Sequence, residues 1–239
     1  MKLEKKTAIV TGAGKGIGKA IALALSSAGA NVVVAARTQS DIDGVAHQIR
    51  EAGGSALSVR ADVSKEEDVR QLVSQTLNRF GRIDILINNA GIGSFANVES
   101  LSVEKFDRMW EVNVRGVFLC SRAVIPAMSQ QKSGDIINIA SLAGRNAFVG
   151  GAGYCSTKWA LVGFARCLML EVRAHNIRVI TLCPGSVDTD FGDHEKGAPR
   201  SQGIIPTADD VAQVVVDTIS MPRHVMVSEV DIRPTNPKG

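Results

Sequence analysis

"TGAGKGIG", residues 11–18, decides how this chain folds. It follows a short apolar run, "TAIVT", and opens a segment of helical period over 16–29. Gly12 permits a tight turn. Gly16 and Gly18 let the backbone approach a phosphate and let the helix pack close to the strand. The free N–H groups at a helix start then face a pyrophosphate. A glycine triplet alone says little, because any tight turn can use one. Strand, triplet and helix in succession read as the first turn of a dinucleotide-binding βαβ unit.

Working outward, short apolar runs rich in β-branched residues recur: "NVVVAAR", "ALSVRAD", "IDILINNAG", "DIINIAS", "IRVITLCPG" and "HVMVSEVDI". Most are too continuous to have a wet face, as expected of parallel strands covered on both sides. Helix-period segments at 41–52, 65–80, 102–130 and 155–174 lie between them, and "PTADDVAQVVVDTI" (206–219) follows. The alternation predicts an α/β fold. It is a doubly wound parallel sheet of about seven strands with helices on both faces, Rossmann-type. Residues 1–239 read as a single domain, with no linker or repeat. Ser40, Ser64 and Thr207 are expected to cap helices, each with acids in the first turn. Residues 190–204, "DFGDHEKGAPRSQGI", have no apolar period and read as a mobile surface segment after the sixth strand.

Composition narrows the function classes. The 239 residues are 45% hydrophobic and 21% charged, with a formal net charge of +3. That suits a globular chain with a full core. The basic excess is too small, and too scattered, to argue for nucleic acid. Cys120, Cys155, Cys167 and Cys183 show no Cys-x-x-Cys spacing, so neither a metal site nor a redox pair is expected. Reduced thiols suit a cytoplasmic protein. The first residues lack the pattern of a signal peptide, and no apolar run is long enough to span a membrane.

The end of the second strand chooses between cofactors. An acid there would hold a ribose 2′-hydroxyl and repel a 2′-phosphate. Here Ala36 is followed by Arg37 and Thr38, and Lys15 lies in the glycine turn. Two cations without an acid favour NADP(H) over NAD(H), unless both are merely solvated.

The only tyrosine, Tyr154, stands in "GYCSTK" four residues before Lys158. Residues four apart share a helix face. A free phenol titrates near pH 10, too high for a ready base at neutral pH, and an adjacent ammonium favours the phenolate. The pair therefore predicts a phenol pulled down toward neutrality.

Together these residues resemble the classical short-chain dehydrogenase/reductase family, over nearly the whole chain. The likeness rests on "TGAGKGIG", Asp62-Val63, "NNAG" at 88–91, Asn113, Ser141, "YCSTK" and "PGSVDT" at 184–189, in the family's order. Ser141 precedes Tyr154 by thirteen positions, the family's usual separation. The likeness is to bacterial 3-oxoacyl-[acyl-carrier-protein] reductases and related carbonyl reductases. It implies a catalytic tetrad of Asn113, Ser141, Tyr154 and Lys158. Tyr154 would be the general acid/base. Lys158 would lower its pKa and hold the nicotinamide ribose. Ser141 would orient the substrate oxygen, and Asn113 would hold a water on the proton path. Cofactor contacts are implied for Gly12, Lys15, Gly16, Ile17, Gly18, Arg37, Thr38, Asp62, Val63, Asn89, Ala90, Gly91, Pro184, Gly185, Val187 and Thr189, besides Tyr154 and Lys158. No metal is implied.

The pattern departs from those reductases at its end, "EVDIRPTNPKG", where they carry a glycine-rich segment. That leaves the acyl-carrier substrate open. Phe95, Leu142, Arg145, Phe148 and Phe191 are the other expected substrate-wall residues. The function expected is reduction of a ketone or aldehyde to an alcohol. The alternatives are oxidation of a polyol, hydroxy acid or steroid, and a non-catalytic dinucleotide-binding regulator. Surplus apolar positions on helices 102–130 and 155–174 include Val114, Val117, Phe118 and Val124, then Trp159, Val162, Phe164, Leu168 and Leu170. They predict a homo-oligomer. The resemblance favours a tetramer.

Overall fold

Seven strands and seven helices alternate through the described residues of the computed structural model, which are 3–189, 191 and 205–236. The strands are β1 (Thr7–Thr11), β2 (Asn31–Ala36), β3 (Ala56–Arg60), β4 (Ile85–Asn88), β5 (Gly134–Ile139), β6 (Ile177–Pro184) and β7 (Glu229–Ile232). The helices are α1 (Gly16–Ser27), α2 (Gln39–Glu51), α3 (Glu66–Phe80), α4 (Val103–Trp110), α5 (Gly116–Gln131), α6 (Ala152–Val172) and α7 (Ala208–Ser220). One sheet holds all seven strands in the order β3-β2-β1-β4-β5-β6-β7, and every pairing is parallel.

Alternate strand residues enter two separate cores, which is why the strand sequences lack a polar face. Ala8, Val10, Val32, Val34 and Ile87 pack with Ile21 and Leu25 of α1, Ile42 of α2 and Val215 of α7. Ile9, Val33, Leu86 and Val179 pack on the opposite side with Leu72 of α3, Val124 of α5 and Leu168 of α6. Each such fully buried aliphatic side chain contributes about 1.5–3 kcal/mol of hydrophobic stabilisation. The order of connection reverses between β1 and β4. Chains leaving those two strands part in opposite directions and open a crevice at the strands' C-terminal ends.

Four local expectations are corrected. The helix expected over 102–130 is broken by a π-helical turn, Glu111–Arg115, between α4 and α5. Neither Ser40 nor Ser64 caps a helix. Thr38 and Lys65 occupy those positions without side-chain bonds. The Ser64 hydroxyl instead donates to Asp62 (2.7 Å) and accepts from the Arg108 guanidinium (2.8 Å), both charged partners. A hydrogen bond to a charged group is the stronger one. Thr207 does cap, in a reciprocal box with Asp210. Of the last apolar run only Glu229–Ile232 is strand. Finally, Val117, Val124, Val162 and Leu168 are covered by this chain's own core, whereas Phe118, Trp159 and Leu170 are exposed. Residues 190–204 lie outside the described residues apart from Phe191. No helix among the described residues is long and apolar enough to cross a membrane.

Candidate active site

A cleft of about 810 Å³ opens at the C-terminal ends of β1, β2, β4, β5 and β6. At its base the glycine turn packs too closely against β4 to carry side chains at two positions. Gly12 has a left-handed φ of +63°, and a Cβ there would lie 2.8 Å from the Cα of Ala90. At Gly18 a Cβ would come within 2.4 Å of the Gly12 oxygen and the Asn89 amide nitrogen. Gly18 is therefore a packing residue behind the wall, and the cleft is lined by Gly12, Lys15, Gly16 and Ile17 instead.

The walls gather most of the residues expected from sequence. Arg37, Thr38, Asp62, Val63, Asn89, Ala90, Gly91, Ser141, Tyr154, Lys158, Pro184, Gly185, Val187 and Thr189 all line the cleft. At one end Lys15 and Arg37 are exposed, and neither makes an ion pair among the described residues. Acids at the cleft are Asp62, engaged by Ser64 and by Arg108 at 2.7 Å, and Asp41 of α2. Asp41 packs against Gly14, where a Cβ would lie 2.8 Å from its own. In the sequence it reads only as an acid in the first turn of a helix. Asn89 is turned inward. Its amide donates to the carbonyls of Thr11 (2.9 Å) and Gly12 (3.2 Å), stitching the end of β4 to the glycine turn. The Thr11 hydroxyl completes that seam by accepting from the N–H groups of Asn89 and Ala90.

Near the other end lie Ser141, Tyr154 and Lys158. Ser141 ends the run after β5 and caps a short 3₁₀ turn, Leu142–Gly144, its hydroxyl accepting from the Ala143 N–H at 3.1 Å. Ser141 and Tyr154 both line the cleft, and the Ser141 hydroxyl favours the ionised form of the phenol. The Lys158 ammonium donates to the Ile139 carbonyl at 3.0 Å and lies 5.7 Å from the centre of the Tyr154 ring. Tyr154 and Lys158 are both buried. Burial pushes the phenol up to about 12, against the opposing hydrogen bond from Ser141. It pulls the Lys158 ammonium down to about 8. The expected lowering of the phenol is thus reversed in this structure. The cause is the loss of water around both groups, with the ammonium aimed at a carbonyl rather than at the phenol oxygen.

Asn113 does not line the cleft. It stands behind it, in the π turn, fully enclosed. Its amide donates to the Ile92 carbonyl (2.9 Å) and the Thr157 hydroxyl (3.0 Å), and its oxygen accepts from the Ile92 N–H (2.9 Å). Thr157 in turn donates to the Tyr154 carbonyl at 2.8 Å. Thr157 and Ile92 were not singled out from sequence, although Thr157 lies inside the "YCSTK" segment.

Two phenylalanines pack on the Tyr154 ring, and a third packs on the first of them. Phe95 stands edge-on to Tyr154 at 5.4 Å between ring centres, Phe191 lies at 5.8 Å from Tyr154, and Phe148 at 5.9 Å from Phe95. Leu142 also lines the cleft. Arg145 does not, contrary to expectation. Its guanidinium is bound to Glu229 and, at 3.4 Å, to Asp231 of β7, which anchors the turn that follows Ser141. No cluster of three or more His, Cys, Asp or Glu side chains able to hold a metal occurs among the described residues.

The sequence pattern of the short chain dehydrogenase family matches residues 6–198. A 3-oxoacyl-[acyl-carrier-protein] reductase of Synechocystis sp. is 40% identical over 207 residues, 86% of this chain and 83% of the relative. Among solved structures, a metagenomic short-chain oxidoreductase in complex with NADP superposes with a TM-score of 0.87 at 36% identity, covering 99% of this chain and 100% of that one. An alcohol dehydrogenase from Thermococcus sibiricus, complexed with 5-hydroxy-NADP, gives a TM-score of 0.90 at 34% identity, covering 98% and 99%.

Proposed function

The chain belongs to the short chain dehydrogenase family, and from that premise we propose that it is an NADPH-dependent oxidoreductase reducing a ketone or aldehyde to an alcohol. The cleft has the features such a cofactor requires. It has a glycine turn with no room for a Cβ at Gly12, leading into α1, whose N-terminus has no side-chain cap. Two cations, Lys15 and Arg37, stand without carboxylate partners where a 2′-phosphate would lie. Relatives solved with NADP and 5-hydroxy-NADP support the choice.

When bound, the cofactor supplies the hydride. The chain supplies the proton and the geometry. Tyr154 donates the proton to the substrate oxygen, and Ser141 orients that oxygen. Lys158 would hold the cofactor ribose and return a proton to the phenol. Asn113 positions this group by fixing Ile92 and, through Thr157, the first turns of α6. The single observation that carries the reading is one cleft lined by the glycine turn, Ser141, Tyr154 and Lys158 together.

The same reading makes residues 1–239 one catalytic domain acting in the cytoplasm on a small carbonyl substrate. The exposed Phe118 of α5 and Trp159 and Leu170 of α6 support a homo-oligomer, with a tetramer favoured. The test is turnover of purified protein with NADPH against 3-oxoacyl thioesters, 3-oxo esters, diketones, quinones and aldehydes. The Synechocystis relative is the reason for including the thioesters. NADPH oxidation with at least one class is expected, and none with any would overturn the proposal.

A further inference from the structure

We infer that the substrate is an uncharged aryl ketone whose ring lies among Phe95, Phe148 and Phe191, beside the phenol of Tyr154. The inference deepens the carbonyl-reductase reading above and rests on it. Hydride from NADPH would reach the carbonyl carbon as the nicotinamide is oxidised. The Tyr154 proton would go to the oxygen, giving a benzylic alcohol.

The ring cluster is the first observation. Phe95 and Phe191 pack directly on the Tyr154 ring, at 5.4 and 5.8 Å between centres. They converge over Gly93, where a Cβ would lie 3.1 Å from an atom of each ring. Yet Phe95 stays 40% exposed, Phe148 48% and Phe191 39%. Two partly exposed rings thus pack on the ring of the proton donor, and a third, Phe148, extends that apolar wall from Phe95. Ring pairs prefer edge-to-face or offset contact at about 4.5–7 Å, the spacing Phe95 keeps with Phe148 and with Tyr154, and Phe191 with Tyr154. A carbonyl placed at the Tyr154 oxygen would bring the group attached to its carbon among these rings, whereas the far end of a long substrate would lie beyond them.

Charge is the second. Among the described residues the cations lining the cleft are Lys15, Arg37 and Lys158. The first two flank the glycine turn, and Lys158 is buried against Ile139. Arg145, the cation nearest the aromatic end in sequence, is taken by Glu229 and Asp231. No described cation at this end is free to receive a substrate carboxylate or phosphate. A flexible alkyl chain would also bury apolar area, but it would lose rotamer freedom and gain none of the ring geometry.

The test compares kcat/KM with NADPH for acetophenone and for cyclohexyl methyl ketone, which differ in whether the ring is aromatic. It is run in wild type, Phe95→Leu and Phe148→Leu. Each enzyme's ratio of the two ketones is taken, so folding losses and intrinsic ketone reactivity cancel between enzymes. Each substitution is expected to lower the aryl-to-cyclohexyl ratio by roughly 2- to 10-fold. An unchanged ratio in both variants would overturn the inference. So would reduction of other carbonyls with no turnover of acetophenone, while leaving the reductase reading standing. Absence of NADPH oxidation with every carbonyl would overturn that reading itself.

Discussion

Lys158 lies one turn beyond Tyr154 on α6, its ammonium nitrogen 5.7 Å from the centre of the phenol ring, and both side chains are buried. Removal of water makes each group favour its neutral form. The phenol rises to about 12 and the ammonium falls to about 8. The phenol therefore keeps its proton well into the alkaline range, and the lysine loses its proton at about 8, well below its ordinary value of 10.5.

That arrangement has a signature in stability. Between about 8 and 10.5 the unfolded chain binds a proton at Lys158 that the folded chain does not, so this group's contribution rises with pH across that window and is lost as pH falls through 8. Unfolding by urea should show wild type gaining on Lys158→Met from pH 8 to pH 10.5. A difference that shrinks over the same range would contradict the burial argument.

Cofactor choice depends on Lys15 and Arg37. A charge-assisted contact is worth about 1.5–3 kcal/mol, so each should favour NADPH over NADH by roughly tenfold to a hundredfold. Arg37→Asp should erase or reverse the preference in kcat/KM. Equal use of both cofactors by the wild-type enzyme would remove the 2′-phosphate from the account.

Asn113 satisfies both polar groups of the Ile92 backbone and the Thr157 hydroxyl. Asn113→Leu leaves those partners buried and unpaired, at about 1–3 kcal/mol for each group. The melting temperature and kcat should both fall. Wild-type values for both would mean that the π turn does not position the site.

Phe118, Trp159 and Leu170 should be covered by another copy. Light scattering at micromolar concentration should give a multiple of the 25.3 kDa chain mass, and Trp159→Glu should shift it downward or unfold the protein. A monomer mass for wild type would refute the oligomer.

Much of this was legible in the chain. Parallel strands buried on both faces leave an unbroken apolar record, and the glycine turn can close only without side chains, so sheet and cleft floor were readable. What escaped were partnerships between distant residues. Arg145 looks like a substrate-wall cation until Glu229, 84 positions away, is folded against it. Ser64 looks like a cap until Arg108 arrives. The π turn at Asn113 interrupts a helix whose apolar period continues on either side, so the period alone could not locate the break. The titration of Tyr154 was misjudged because sequence shows that a lysine is near but not how much water is lost.

The central claim is that Tyr154 supplies the proton, and Tyr154→Phe tests it most directly. The change keeps a ring to pack against Phe95 and Phe191 and removes only the hydroxyl. General acid/base catalysis is worth about a hundredfold or more. Turnover with NADPH and a reducible carbonyl should therefore fall below about a hundredth of wild type, while NADPH binding measured by fluorescence stays as it was. A variant that keeps more than about a tenth of wild-type turnover would contradict the account.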